Sequence, residues 1–433
     1  MNFSLFGRKL AGESGILTLM DDLARPLPEG VPHRPLGGGN PARIPAVEQA
    51  YRREMERLMA DGDAFEQTIG RYDTPQGRLS FLEAIAAFLR SEFGWDVGPE
   101  NVAITNGSQS AFFYLLNLFS GDDESGCKTI LFPLVPEYIG YADQGIARDT
   151  FVTLPARVEL IGDHEFKYHI DRDLVASYLN DHPEVGAICV SRPTNPTGNV
   201  LTDDEIDALS RLAGKHDIPL IIDNAYGLPF PNIIFPEMMT GSAKPHWNED
   251  IVLTMSLSKI GLPSFRTGIV IAKPEIITAI GALNSIVALA SGSMGQALGE
   301  SMLRSGELKT LADTAVQPFY RDRLNRAKEV MIEAFGDRPW RMHRSEGALF
   351  LWLYLEKLSV PATELYSRLK ERGVIVVPGE YFFFGRDDGT DEEVAWKNHP
   401  HREKCLRINY SGDPDLVHEG LRILAEVSAE LEP

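Results

Sequence analysis

Lys259 closes the run Thr254-Met255-Ser256-Leu257-Ser258-Lys259, which ends a predicted strand, and Arg266 follows it across a short loop bearing glycine and proline. One amine therefore stands beside two hydroxyls and a guanidinium. A lysine amine forms a Schiff base with a carbonyl. Ser256, Ser258 and Arg266 supply neutral and charged donors for phosphate oxygens, the arginine as a fork. The set suits an aldehyde that carries a phosphate. Taken alone, Ser-x-Ser-Lys is more often an ordinary strand-to-loop junction.

Other runs share the theme. Pro219-Leu220-Ile221-Ile222-Asp223-Asn224-Ala225-Tyr226 reads as a buried parallel strand with Asp223 at its carboxyl end, where open α/β sheets bind ligands. A carboxylate there keeps a pyridine nitrogen protonated and makes the ring an electron sink, the chemistry of pyridoxal phosphate. Tyr226 is placed to donate to the ring's phenolic oxygen. The alternative is that Asp223 caps the following turn. In Ser191-Arg192-Pro193-Thr194-Asn195-Pro196-Thr197-Gly198 two prolines stiffen the backbone, so that Asn195 projects from a rigid support towards the same oxygen. Thr105-Asn106-Gly107-Ser108-Gln109-Ser110 joins a strand-like run to a helix-like one from Ala111 to Phe119. A helix start is a natural phosphate seat, and plain N-capping by Ser108 is the competing reading.

In chain order, Gly-Ser-Gln at 107–109, Asn-Pro-Thr-Gly at 195–198, Asp-x-x-Tyr at 223–226, Ser-x-Ser-Lys at 256–259, Arg-x-Gly at 266–268 and Arg407 in Leu406-Arg407-Ile408-Asn409 resemble the fold-type I pyridoxal-phosphate aminotransferases. The resemblance runs over nearly the whole chain. Phe3 to Gly7, Leu36 to Pro41, Asn106 to Tyr114 and Pro136 to Tyr141 are similar to the branch of that family that moves the amino group of valine to pyruvate. The resemblance implies that Lys259 holds the cofactor and moves the proton of the substrate's Cα. It implies that Arg407 pairs in bidentate fashion with the substrate's α-carboxylate. Two half-reactions on one cofactor then imply ping-pong kinetics, giving 2-oxoisovalerate and alanine.

Three more positions enter through the resemblance. Tyr138 matches the aromatic that stacks on the cofactor ring, although an aromatic after a strand is usually core. Gly39 matches an arm glycine whose backbone lies near the substrate carboxylate, although three consecutive glycines also suit a mobile turn. Tyr72, in Tyr72-x-x-Pro75-x-Gly77, matches the tyrosine that reaches the phosphate of a neighbouring subunit, which implies a homodimer with shared active sites. Arg266 stands 7 residues after Lys259, where many relatives have one more residue, yet Arg-x-Gly is kept.

The elements that must position these residues are legible as a pattern. Val102 to Thr105, Thr129 to Phe132, Ala187 to Ser191, Leu220 to Asp223, Ile251 to Leu257 and Thr267 to Ala272 read as strands. Helix-like segments such as Asp203 to Lys215 intervene. The alternation predicts an α/β fold: a mostly parallel sheet covered by helices, with Thr267 to Ala272 antiparallel because no helix fits before it. Gly347 to Leu353, Val374 to Val377 and Cys405 to Asn409, with a helix starting at Asp413-Pro414, predict a smaller α+β unit. The expected division is an N-terminal arm over 1–45 that joins the small unit, a large cofactor-binding unit over 46–305, and the small unit over 306–433. The polar stretch Gly385 to Lys404 reads as a surface loop.

Composition sets bounds on partners. With 42 basic and 62 acidic side chains the net charge is −20, which argues against nucleic acid and acidic membrane surfaces. Cys127, Cys189 and Cys405 lie far apart, so neither a disulfide framework nor a metal site is expected, and a reducing cytoplasm suits them. No signal peptide and no membrane span is expected. A branched aliphatic substrate wants an apolar pocket, to which Ile16, Leu17 and Leu19 of the arm could contribute, or they are core. Competing functions are a broader alanine or aromatic aminotransferase, a lyase or decarboxylase on the same scaffold, and a cofactor-binding regulator. The regulator would need an appended basic DNA-binding domain, unlike this acidic chain.

Overall fold

A computed structural model describes residues 2–12, 14–24, 30–124, 126–387 and 396–433. Among these residues the larger sheet has nine strands. Along its main path the order is Arg386–Asp387, Phe151–Pro155, Gly126–Val135, Val185–Ser191, Leu220–Asp223, Ile251–Ser256, Thr267–Ile271 and Val102–Asn106. Thr267–Ile271 runs antiparallel to both of its neighbours, and the rest of this path is parallel. The mixed sheet expected from the sequence is the one observed. Every residue of Val185–Ser191, Leu220–Asp223 and Ile251–Ser256 is buried, which is why these strands read as unbroken apolar runs rather than alternating ones.

Helices close both faces. Ser108–Leu118 follows the strand Val102–Asn106, and Asp203–Lys215 follows Val185–Ser191. The second helix begins in a capping box, Thr202 accepting from the Glu205 N–H while Glu205 reaches back to the Thr202 N–H. Strands that run parallel end on the same edge. Asn106, Ser191, Asp223 and Ser256 are therefore delivered to one rim of the sheet, the place where such sheets hold ligands.

A second sheet of six strands has the order Val377–Pro378, Cys405–Asn409, Phe350–Leu355, Trp340–His343, Glu165–His169 and Arg157–Ile161. The hairpin over 157–169 thus comes from inside the stretch 46–305 expected to build the large unit. Its membership of this sheet is set by pairing with Trp340–His343, far away in sequence, which no local pattern announces. The helix Pro414–Ala429 packs on the helix Gln317–Phe335, and Asp413 caps it by accepting from the Asp415 and Leu416 N–H groups. Arg34–Pro35 of the arm pairs in parallel with Val374–Ile375. Part of the expected surface loop from 385 is ordered differently. Arg386–Asp387 pairs with Phe151–Pro155, Pro400–Lys404 is helical, and positions 388–395 lie outside the described residues.

Candidate active site

One cavity of about 320 Å³ at the rim of the larger sheet gathers Lys259, Asp223, Tyr226, Asn195, Ser108, Gln109, Tyr138, Ser256, Ser258, Arg266, Gly39 and Arg407. Of the residues singled out in the sequence for this site, Leu17 and Tyr72 are not brought there. Leu17 is 51% exposed, and Tyr72 lies elsewhere, 84% exposed on the protein surface.

Lys259 donates from Nζ to the Gly39 carbonyl at 2.6 Å and lies 5.5 Å from the centre of the Tyr226 ring. Burial, followed by the nearby Arg407 and Arg266 guanidiniums, pushes its amine down to about 8, with Asp223 pulling the other way. An amine lowered this far is partly deprotonated at physiological pH, and its neutral fraction is a nucleophile and a base.

Asp223 is buried beneath the cavity. One oxygen accepts from the Tyr141 hydroxyl at 2.6 Å and the other from the Ala225 N–H at 3.0 Å. The turn-capping role weighed from the sequence is thus real, and it occupies only one end of the carboxylate. Burial raises the Asp223 carboxyl, against the hydrogen bonds from Tyr141 and Ala225 and the pull of Lys259.

Arg407 is 2% exposed and stands in the strand Cys405–Asn409. It donates to Asn195 Oδ1 at 2.8 Å and to the Gly37 carbonyl at 2.5 Å, between the rings of Phe350 and Phe382 at 4.4 and 5.2 Å. Its Nε is buried without a partner. With the Asn195 oxygen committed to Arg407, the amide nitrogen is the donor end that Asn195 offers to the cavity.

The glycine segment is not a mobile turn. Successive carbonyls of Gly37, Gly38 and Gly39 accept from Arg407, Asn409 and Lys259, and Asn40 accepts from Ser411. A strand of the second sheet and the loop after a strand of the larger sheet therefore pin one arm segment.

At the opposite end, Arg266 lies across the start of the helix Ser108–Leu118. Its Nη2 is 2.0 Å from where a Cβ on Gly107 would stand, so a side chain there would displace the guanidinium, and the positive φ favours glycine. Arg266 Nη1 donates to the Ser258 hydroxyl at 3.4 Å, and Ser256 Oγ accepts from the Ser258 N–H at 3.0 Å. The helix N-cap is Gly107 (φ 77°), not Ser108, so the Ser108 side chain is not spent on capping. Gln109 donates to the Gly140 carbonyl at 3.0 Å, which braces the turn of Tyr138.

Sequence reasoning missed two buried partners. Tyr141, fully buried against Phe132 and Phe112, is the donor to Asp223. Glu137 accepts from the N–H and hydroxyl of Ser191 and the N–H of Tyr138, tying together the turns that carry Tyr138 and Asn195. Burial raises its carboxyl to about 7. Both lie within the stretch Pro136 to Tyr141 noted earlier, but nothing local in it names a partner.

The residues fit pyridoxal phosphate. A buried carboxyl, whose acidity burial has weakened, awaits a cationic partner such as a protonated ring nitrogen. Hydroxyls, a guanidinium and a helix start converge where a phosphate would sit. The cations Lys259, Arg266 and Arg407 outnumber the lone carboxylate Asp223 among the lining residues, which suits a dianionic cofactor and an anionic substrate.

Comparison with known proteins agrees in extent as well as kind. The chain is 46% identical over 429 residues to valine–pyruvate aminotransferase of Escherichia coli K12, covering 98% of each. It superimposes on the crystal structure of valine–pyruvate aminotransferase from Salmonella typhimurium LT2 with a TM-score of 0.83 at 44% identity, covering 96% of this chain and 99% of that one. The fold is shared with the kynurenine aminotransferase of Pyrococcus horikoshii solved in complex with PMP, at a TM-score of 0.77 and 20% identity over 99% and 97% of the two chains. The model of the family described as aminotransferase class I and II takes in residues 36–424. That span runs from the pinned glycine segment past Arg407, and the chain belongs to this family.

Proposed function

We propose that this protein is a pyridoxal-phosphate-dependent aminotransferase that moves the amino group of valine to pyruvate by a ping-pong mechanism, giving 2-oxoisovalerate and alanine. The observation that carries the reading is the meeting of Lys259, Asp223 and Arg407 in one cavity. The choice of valine and pyruvate rests on the 46% identity to an enzyme of that name over 98% of both chains.

The roles follow from the donors each residue presents. When bound, pyridoxal phosphate supplies an electron sink that weakens the Cα–H bond of an amino acid joined to it. Ser108, Gln109, Ser256, Ser258 and Arg266 would hold its phosphate, and Tyr138 would supply an aromatic surface for its ring. Asp223, steadied by Tyr141, keeps a proton on the ring nitrogen, while Tyr226 and Asn195 donate to the ring oxygen. Arg407 binds the α-carboxylate, with Gly39 bringing backbone close to it, and so turns the Cα–H bond towards Lys259. Lys259 Nζ takes that proton, a task for which a neutral amine is needed.

We further propose a homodimer with shared sites. Tyr72, exposed and away from its own cavity, is free to serve a neighbour's phosphate. The arm over 1–45 and the C-terminal part are assigned to a smaller unit, now with the hairpin 157–169 added to it. The wide spacing of Cys127, Cys189 and Cys405 supports a cytoplasmic setting.

The test is a spectrum of the purified holoenzyme titrated with L-valine and then with pyruvate. The absorbance of the lysine-bound cofactor should fall with valine and return with pyruvate, and Lys259→Ala should abolish the cycle. A protein without that chromophore overturns the site reading. A chromophore that ignores valine and answers another amino acid overturns only the substrate.

A further inference from the structure

The cavity has an apolar side that the roles above leave unused. Its long aliphatic lining residues are Ile16, Leu19, Met20 and Ile139. The first three stand on the helix Gly15–Ala24 at spacings of three and four, which places them on one face. Leu17, between them, does not line the cavity; Met20 does, yet it is 59% exposed, which leaves Ile16 and Leu19 as the covered part of the face.

The helix is seated close by design of its first residue. A Cβ on Gly15 would stand 2.9 Å from Tyr381 Cδ1 and 3.0 Å from Ile139 Cδ1, so the helix start is packed tightly against both side chains. Leu19 Cδ1 comes within 3.4 Å of the Cβ position of Gly37, whose carbonyl accepts from Arg407. The apolar face therefore begins beside the guanidinium that binds the substrate carboxylate. The cationic lining residues, Lys259, Arg266 and Arg407, all lie on other elements.

Asp22, one turn beyond Leu19, points the other way. It is 8% exposed and accepts from the Tyr366 hydroxyl and from Lys370 Nζ, both at 2.8 Å. Those two residues stand on the helix Ala362–Glu371, in the C-terminal part of the chain that also supplies Arg407. Wall and carboxylate anchor are thus fastened to the same part of the molecule.

We infer that the helix Gly15–Ala24 is the specificity wall for the amino acid's side chain, with Ile16 and Leu19 as the selecting residues and Asp22 as the positioning residue. The inference rests on the transaminase reading with valine as donor. A side chain directed at this wall meets hydrocarbon, which favours branched aliphatic groups and disfavours a second carboxylate.

Alanine supplies an internal control, because it is the product side of the same reaction and its methyl ends short of the wall. The experiment follows the two half-reactions of the holoenzyme separately, with valine and with alanine, from the cofactor's absorbance. Leu19→Ala and Ile16→Ala should lower kcat/KM for valine about tenfold, as a lost methylene contact does in an apolar pocket. The alanine half-reaction should stay within about twofold, since it makes no such contact. Asp22→Ala should lower the valine-to-alanine ratio in the same direction through KM rather than kcat. Equal loss on both amino acids, or no loss on either, overturns the wall while leaving the transaminase reading intact. A wild type that reacts with alanine but not with valine overturns the valine reading and the wall with it.

Discussion

Lys259 shows how the surroundings of a single side chain set its chemistry. An ordinary lysine is almost wholly protonated at neutral pH. Burial beside Arg407 and Arg266 brings this one down to about 8, so that about a tenth is neutral at pH 7 rather than about one part in three thousand. Only the neutral amine attacks an aldehyde, and its share grows as pH rises through the pKa. Uptake of pyridoxal phosphate by the cofactor-free protein should therefore accelerate with rising pH and level off above about 8. Stopped-flow absorbance across pH 6 to 10 checks this, and a profile still climbing at the high end would contradict the lowered pKa. Arg407 is the complementary case. Its guanidinium is buried between two rings, oriented by Asn195 and the Gly37 carbonyl, and keeps an unpartnered Nε.

At the scale of elements, the start of the helix Ser108–Leu118 is the most demanding piece of geometry. Gly107 holds a left-handed conformation at φ 77° and leaves room for Arg266, which itself sits at φ 48°. A methyl at position 107 would collide with the guanidinium and also strain the backbone. Gly107→Ala should weaken cofactor binding by about tenfold to a hundredfold, in line with ~1–3 kcal/mol of displaced or strained structure. Equilibrium titration of the cofactor-free variant measures it. An unchanged Kd would remove this helix start from the phosphate site. The segment Gly37 to Gly39 works by the opposite means, with three carbonyls held by side chains of distant elements rather than by its own conformation.

The whole molecule is held across its two sheets by a buried charge pair. Lys167, on the hairpin that joins the second sheet, donates to Glu346, to Asn199 Oδ1 and to the Val200 carbonyl, with both charged side chains at 0% exposure. Glu346 also accepts from the Val200 N–H, and the Gly198 carbonyl accepts from the Glu346 and Gly347 N–H groups. The pair thus rivets the turn that carries Asn195 onto the second sheet. Removing one partner leaves an uncompensated buried charge, so Lys167→Met should cost about 3–5 kcal/mol in urea unfolding. The double variant with Glu346→Leu should regain most of that, since replacing both charges by apolar groups is often neutral or better. A double variant as unstable as the single would show that packing, not charge, is what the site demands.

The sequence by itself determined the chemistry and the rim. Strands buried on both faces write themselves as apolar runs, and their ends and the loops after them carry Asp223, Asn195, Lys259 and Arg266 at spacings set by local backbone geometry. Whatever depends on neighbours within a few residues was therefore legible, including the antiparallel strand Thr267–Ile271. Tertiary structure alone decided the rest. Tyr141 meets Asp223 across 82 positions, Asn195 meets Arg407 across 212, and Gly37 meets Arg407 across 370. The hairpin over 157–169 leaves its neighbours in sequence to complete the second sheet. No local pattern encodes such partners. A polar side chain on a strand end advertises a need for a hydrogen bond, and only the path of the folded chain determines which distant group meets it.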